Sequence, residues 1–161
     1  VAGFNGAGGE IGHITVNHDE IEACNCGQYG CLEQYTSATG IVRLAKRKLA
    51  KSSEETSIRE IPNLTAKDVF DAAKAGDTIA IGLVDEVCEI LGSTLSNIAC
   101  VVNPEIIVIG GGVSKAGDIL LDNIKKHFVE TAFMACRDTK FALAGLGNDA
   151  GMYGCVEMLQ D

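Results

Sequence analysis

The sequence predicts an α/β fold with few strands and much helix. Two short apolar runs, Ile106–Ile109 and 140–144, have the character of strands. Helical periodicity occupies most of the chain around them, and the longest such pattern covers Thr78–Val102. Strands that alternate with helices are typical of α/β proteins. The chain has 161 residues, of which 47% are hydrophobic and 22% charged, so it can form one domain or one lobe of a larger protein.

The first third of the chain is predicted to hold one strand, one loop and one helix. Residues 11–16 have strand character. A polar loop that carries cysteines follows as far as Gly30. Apolar residues at helical spacing then predict a helix over 32–51, and the polar stretch 52–63 predicts a loop.

The middle of the chain carries clear helix boundaries. Thr65 followed by Asp68 resembles a capping box and predicts the start of a short helix, which Gly76 can close. Asp77 is expected to cap the next helix, Thr78–Val102, whose apolar side chains recur every three or four residues.

The second half begins with the unbroken β-branched run Ile106–Ile109. Such a run predicts a strand buried on both faces, and three glycines follow it. The remaining predicted elements are a helix over 116–128, a strand over 140–144 and a terminal helix over 150–159 that Asn148 and Asp149 would cap.

The charge balance excludes two classes of partner. With 22 acidic and 13 basic side chains the formal net charge is -9, which disfavours nucleic acid and anionic membranes as partners. The longest apolar stretch, 90–102, is interrupted by polar residues and is too short for a membrane span. A small neutral ligand fits this composition better.

Seven cysteines divide into a close group of three and four that are scattered through apolar segments. We interpret the scattered cysteines as reduced core residues. This usage indicates a reducing compartment, so a cytoplasmic protein is expected. The four scattered positions are Cys88, Cys100, Cys136 and Cys155.

The close group, Cys24, Cys26 and Cys31, predicts a structural zinc site. Three thiolates and one imidazole complete the closed tetrahedral shell of such a metal. The imidazole is expected from His13, although His18 is also near in sequence. The alternatives are a disulfide or three unrelated thiols; a disulfide within a Cys-x-Cys pair would be strained.

Two carboxylates flank this group in sequence, Glu10 before it and Glu33 after it. A metal that gathers His13 and Cys31 would bring both carboxylates toward one place. Carboxylates accept hydrogen bonds from paired hydroxyls, as in a sugar. From the residues alone, the alternative is that Glu10 and Glu33 are ordinary solvated or capping carboxylates, which is the more common case.

The glycines Gly110, Gly111 and Gly112 follow the strand Ile106–Ile109 and would let a flat or phosphorylated ligand approach the backbone. Alone this motif is weak, because it lacks the lysine of a phosphate-binding loop. The later run 147–151 predicts a helix start rather than a ligand contact.

Four motifs in this order resemble the ROK family of bacterial sugar kinases and sugar-responsive repressors. They are GEIGH at 9–13, CNCGQYGCLE at 24–33, IVIGGGVS at 107–114 and GNDAG at 147–151. Residues 65–77 are also similar to the glucokinase branch of Gram-positive bacteria. The resemblance spans the whole chain.

The resemblance implies the C-terminal lobe of an actin-like (ribonuclease H-like) ATPase fold with an inserted zinc-binding loop. Residues 1–35 would form the sugar-recognition and zinc segment, and 36–161 the α/β body that binds adenosine. Such enzymes transfer the γ-phosphoryl group of Mg-ATP to the 6-hydroxyl of a hexose. The implied site residues are His13, Cys24, Cys26 and Cys31 for zinc, Glu10, His13 and Glu33 for the sugar, and Gly110, Gly111 and Gly112 for the adenosine.

The chain also departs from the family pattern. The N-terminal DxGxT phosphate motif, the catalytic Asp and the second Gly-rich phosphate motif are not found in it. We therefore expect the N-terminal lobe and the catalytic base to lie upstream, and the 161 residues alone to be inactive.

Three functions remain open at this point. The first is an ATP-dependent hexokinase, with glucose as the expected substrate and fructose or N-acetylhexosamines as alternatives. The second is the effector-binding domain of a ROK transcriptional repressor. The third is a zinc-stabilised interaction module without catalysis. The family resemblance also implies a homo-oligomer, either a dimer or a tetramer.

Overall fold

Six α-helices and two β-strands form the regular structure of this computed structural model, which describes residues 3–146 and 149–157. Short 3₁₀ turns lie at Ile11–His13, Gly112–Ala116 and Met134–Cys136. The helices are α1 (Glu33–Thr36), α2 (Ala38–Lys51), α3 (Ala66–Lys74), α4 (Thr78–Val102), α5 (Asp118–Thr131) and α6 (Ala150–Glu157), and the strands are β1 (Ile106–Ile109) and β2 (Lys140–Leu143).

The predicted helix boundaries in the middle of the chain are confirmed. Thr65 and Asp68 form a reciprocal capping box at the start of α3: the Thr65 N–H donates to the Asp68 carboxylate over 2.9 Å. Asp77 caps α4 by accepting from the Ala80 N–H over 3.0 Å. Helix α4 then runs over the predicted residues and ends where Asn103 turns to a φ of 44°.

Helix α4 is the centre of the core and contacts α1, α2, α3 and α5. Its Gly92 lies so close to α5 that a Cβ there would be 2.7 Å from the Ile124 carbonyl oxygen. The parallel strands β1 and β2, joined through α5, pack on the same core, where the rings of Phe128 and Phe141 meet edge to face with centroids 5.0 Å apart. The fold class predicted from the sequence, α/β with much helix, is confirmed.

The helix predicted over 32–51 is divided into α1 and α2, so that prediction was wrong at Ser37. The Ser37 backbone is extended, and its hydroxyl accepts from the Gly40 N–H over 3.0 Å to start α2. Gly40 permits the tight junction, because a Cβ there would be only 2.7 Å from the Gln34 carbonyl oxygen.

The strand predicted over 11–16 was also wrong. Residues Ile11–His13 form a 3₁₀ turn, in which the His13 N–H donates to the Glu10 carbonyl over 3.1 Å. Only Thr15 pairs as in a sheet, through an antiparallel bridge to Cys31. Extended pairing needs a partner strand, and the described residues offer only the short segment around Cys31.

Strand β1 is not buried on both faces, as the sequence had predicted. Ile107 and Ile109 pack against the core, whereas Ile106 and Val108 are exposed. Among residues 3–146 and 149–157 the sheet has two strands, and helices cover one of its faces. The periodicity of the run gave no sign of this, because both of its faces are equally apolar.

Three smaller differences concern the second half of the chain. Helix α5 spans Asp118–Thr131 rather than 116–128, since a 3₁₀ turn precedes it. Cys88 and Cys136 are buried as expected, but Cys100 and Cys155 are exposed. Helix α6 lies within the predicted 150–159, and the proposed cap Asn148 and the neighbouring Gly147 fall outside the described residues.

Candidate metal centre and ligand-binding site

The structure brings His13, Cys24, Cys26 and Cys31 together. One ligand atom from each lies within 4.8 Å of all the others. The Cys24 Sγ is 3.9 Å from the His13 Nδ1, and the Cys26 and Cys31 sulfurs are 3.6 Å apart. His18, the alternative imidazole, is exposed and is not a member of this cluster. The arrangement could therefore hold a metal ion with three sulfur ligands and one nitrogen ligand.

Two small antiparallel pairings bring these ligands together. The bridge between Ala23 and Tyr29 closes the loop that carries Cys24 and Cys26. The bridge between Thr15 and Cys31 then brings the His13 end of the chain beside that loop.

Gly30 makes the second pairing possible. It has a φ of 71°, and a Cβ there would lie 1.7 Å from the Asn17 carbonyl oxygen. Its own carbonyl accepts from the Val16 N–H over 2.8 Å. Any side chain at this position would push the two segments apart, and with them the candidate metal ligands that they carry.

The thiols of the cluster differ in their surroundings. Burial raises the pKa of the Cys31 thiol to about 12. Cys26 is exposed, and a hydrogen bond from the Gln28 backbone lowers the pKa of its thiol. The buried sulfur would be held as a thiol in the absence of a cation, and a bound cation would favour its thiolate form.

Glu33, the first residue of α1, lies beside the cluster. Its Oε1 is 3.7 Å from the Cys24 Sγ, and a Cβ at Gly12 would be 3.8 Å from the Glu33 Cβ. The turn that carries His13 and the start of α1 therefore lie side by side, next to Cys24. Glu10 precedes the 3₁₀ turn that carries His13; it is exposed, and its carboxylate makes no capping hydrogen bond.

The glycine turn after β1 borders a second region. A cavity of about 260 Å³ lies against Gly112 and is mostly apolar, with charged groups at Lys67, Asp71 and Lys115. A neighbouring cavity of about 300 Å³ reaches all three glycines and the junction between α1 and α2. The first cavity is lined by Ala38, Thr65, Ala66, Lys67, Phe70, Asp71, Gly112, Val113, Lys115 and Ala116.

Sequence reasoning missed the contribution of α1, α2 and α3 to this second region. Thr36, Ser37 and Ala38 lie at the helix junction that the periodicity did not reveal. The capping box at Thr65 was visible, but it indicated only the start of α3. Nothing in the spacing of the sequence shows that this helix start faces the glycine turn.

Helix α1 links the two regions. It begins at Glu33, beside the cysteines, and its last residue, Thr36, lines the cavity next to the glycines. At 1.5 Å per residue, its four residues span about 6 Å. Two ligands bound on either side of α1 would therefore be close neighbours.

The sequence is similar to several curated proteins. It is 49% identical over 156 residues to a glucokinase of Halalkalibacterium halodurans, with 94% of this chain and 47% of that protein covered. It is 28% identical to a xylose repressor of Caldicellulosiruptor bescii, with 98% of this chain and 40% of the repressor covered. The chain thus spans about half the length, or less, of these curated relatives.

The fold is similar to solved structures of a glucokinase and of a transcriptional regulator. A ROK family glucokinase from Streptomyces griseus, solved with glucose and AMPPNP, matches with a TM-score of 0.83 and 31% identity over 95% of this chain and 51% of that one. A ROK family transcriptional regulator matches with a TM-score of 0.75 and 29% identity over 89% of this chain and 36% of that one.

No helix among the described residues has both the length and the apolar character needed to cross a bilayer.

The family profile described as "ROK family" matches residues 1–161, which is the whole chain. The resemblance noted in the four motifs is thereby confirmed: this chain belongs to the ROK family.

Proposed function

We propose that the protein to which these residues belong is an ATP-dependent hexokinase, and that glucose is its substrate. The observation that carries the proposal is the placement of the Cys/His cluster and the glycine turn on either side of α1. Phosphoryl transfer depends on holding donor and acceptor side by side and in line. A sugar at one end of a single helical turn and a nucleotide at the other would meet this requirement.

Zinc is the proposed occupant of the Cys/His cluster. Sulfur and imidazole ligands in a four-membered set are typical of closed structural zinc sites. Bound there, zinc would hold the loop 24–31 and the His13 turn in place, and the kinase chemistry would not pass through it. His13 would have its second ring nitrogen free to face a ligand, since its Nδ1 points toward the cluster.

The sugar would lie beside this cluster. We propose that Glu10 and Glu33 accept hydrogen bonds from its hydroxyls and that His13 completes the contact. The nucleotide, as Mg-ATP, would lie against Gly110, Gly111 and Gly112, and the apolar cavity beside Gly112 would receive its base. A homo-oligomer and a cytoplasmic location remain predictions.

The test uses the product of the complete reading frame. It is incubated with Mg-ATP and one hexose at a time, and ADP formation is followed in a coupled assay. Glucose should give the highest kcat/KM among glucose, fructose, mannose and N-acetylglucosamine. If the protein binds a sugar in calorimetry but neither binds nor hydrolyses ATP with any of them, the effector domain of a repressor would replace the kinase.

Glu33→Ala provides the residue-level test. Removal of a charged hydrogen-bond acceptor should weaken hexose binding on the order of 10- to 100-fold while zinc content stays the same. Calorimetric titration and atomic emission measure the two quantities. Glu60→Ala is the matched control, because Glu60 is an exposed carboxylate in the loop between α2 and α3. An unchanged hexose dissociation constant in Glu33→Ala would remove Glu33 from the site.

A further inference from the structure

Glu20 is a buried carboxylate in an otherwise exposed part of the chain. Its side chain is only 1% exposed, although its neighbours Asp19 and Ile21 are exposed. Its Oε1 accepts from the backbone N–H groups of Ile21 and Glu22, both over 3.0 Å. A carboxylate is buried in this way only when its charge is matched by other groups.

Two arginines of α2 supply the matching charge. Arg47 donates to both Glu20 oxygens, over 2.8 and 2.9 Å, and Arg43 donates to Oε2 over 2.9 Å. The Arg47 hydrogen bonds outweigh the effect of burial and hold the pKa of Glu20 far below its usual range. Glu22, which is more than half exposed, pairs with the same two arginines. Ion pairs thus hold residues 20–22, which precede the cysteines, against α2.

Tyr35 connects this ion-pair cluster to α1. Its hydroxyl donates to the Glu20 Oε2 over 2.6 Å and accepts from the Asn17 amide over 2.9 Å. The Arg43 guanidinium lies over the Tyr35 ring, 5.2 Å from its centroid. Tyr35 itself is buried, and it follows Glu33 by two residues on the same helical turn.

A helix of one turn has no stability of its own, so its orientation depends on tertiary contacts. The Cys/His cluster fixes the start of α1 through Cys31. The hydrogen bond from Tyr35 to Glu20 is a second contact, and it lies on the side of the turn. Together with the packing of α1 against α2 and α4, these two contacts restrict how α1 is rotated, and therefore where the Glu33 carboxylate points.

We infer that Glu20 is a positioning residue for hexose recognition: through Tyr35 it holds α1 on α2, so that Glu33 faces the sugar. The inference rests on the proposed function. Glu20 itself would contact neither the sugar nor the nucleotide. Nothing in its sequence context distinguishes it from the other carboxylates of an acidic chain. Its role follows from its burial and from the six hydrogen bonds that five residues donate to it.

The experiment compares Glu20→Gln with wild type in the full-length enzyme. Gln keeps the shape and one acceptor but removes the charge that holds the two arginines. The hexose KM should rise on the order of 10-fold or more, since small displacements of a binding group are costly. The KM for ATP and the zinc content should not change. Glu105→Gln, which removes a charge from an exposed ion pair with Lys140, is the matched control.

A second variant separates positioning from folding. Tyr35→Phe removes only the hydroxyl that links α1 to Glu20, and it should raise the hexose KM in the same direction. A double-mutant cycle should show the two changes to be non-additive, because both break one link. An unchanged hexose KM in Glu20→Gln would overturn the inference. A parallel rise of both KM values together with zinc loss would also overturn it, because Glu20 would then serve the fold alone.

Amide hydrogen exchange distinguishes failure of this inference from failure of the proposed function. A wild-type enzyme that phosphorylates no hexose would overturn the proposed function. In the same proteins, faster exchange at the α1 amides in Glu20→Gln would still support the positioning role. Equal exchange in wild type and variant would overturn it.

Discussion

The segment 3–31 and the helical body from α2 to α5 are held together by different forces. The segment contains one 3₁₀ turn and two isolated bridges, and apart from Glu20, Cys24, Gly30 and Cys31 its residues are exposed or half-buried. The body has a continuous apolar core around α4. Its largest fully buried side chains include Phe128, Ile41, Ile58, Leu83, Leu120 and Ile124.

This difference shows two ways in which parts of one chain can be held in place. The segment is held by the ion pairs of the Glu20 carboxylate and, in the proposed zinc-bound form, by the Cys/His cluster. The body is fixed by burial of apolar surface, which is non-directional. Polar contacts are directional, so they would suit the proposed role of this segment, which is to orient side chains toward a sugar. It also follows that the two regions should respond to different perturbations.

The largest expected effect is on the body. Phe128→Ala removes a fully buried ring that packs against Phe141, and it should lower the free energy of unfolding by about 3–5 kcal/mol. Urea denaturation measures this change. Zinc content of the folded protein should stay the same, because the ring lies outside the segment. Phe133→Ala is the control, since Phe133 is 61% exposed, and its stability should match wild type. Zinc loss in folded Phe128→Ala would contradict the view that the segment and the body are held by different forces.

The next effect is on the segment. Cys31→Ala removes a buried ligand of the cluster and should weaken zinc binding on the order of 100-fold or more, with loss of hexose affinity alongside it. Cys26→Ala should act in the same direction. Atomic emission and calorimetry measure the two properties. Cys100→Ala, at an exposed cysteine of α4, should leave both unchanged. Normal hexose affinity in a zinc-free protein would show that hexose binding does not depend on the metal.

A smaller effect is expected where the body itself relies on a polar anchor. The Asp77 carboxylate caps α4 and also accepts from Thr56 and Ser57 of the preceding loop. Burial acts to raise its pKa, but the hydrogen bonds from Ala80, Ser57 and Thr56 prevail and lower the pKa from 3.8 to about 2. Asp77→Ala should destabilise the protein by about 1–2 kcal/mol at pH 7.

The pH dependence of this anchor follows from the direction of the shift. A carboxylate with a lowered pKa stabilises the fold above its ordinary pKa, and its contribution is lost as the pH falls from about 4 to about 2. Wild type should therefore approach Asp77→Ala in urea stability as acid is added. Asp77→Asn keeps a capping group and should be the milder change at pH 7. A constant difference between wild type and Asp77→Ala down to pH 2 would contradict this account.

The sequence predicted those parts of the fold that depend on neighbours along the chain. The capping box at Thr65, the cap at Asp77 and the full extent of α4 are set by hydrogen bonds over three or four residues and by one continuous periodicity. The same holds for the candidate ligand set, since Cys24, Cys26 and Cys31 lie within eight residues of one another and Glu33 follows two residues later.

What the sequence by itself determined, then, is the α/β class, the main helices and the kinds of side chain available to the proposed metal and sugar. The break between α1 and α2 is also local, since the Ser37 hydroxyl caps the Gly40 N–H, but the helical periodicity on both sides of it hid this cap. Only the tertiary structure decided that β1 exposes Ile106 and Val108 and that Glu20 is buried. Both of these depend on contacts between residues far apart in sequence. Glu20, for example, meets arginines 23 and 27 residues later. Such contacts leave no periodicity and no local motif, because their stabilisation exists only once the separate elements have packed.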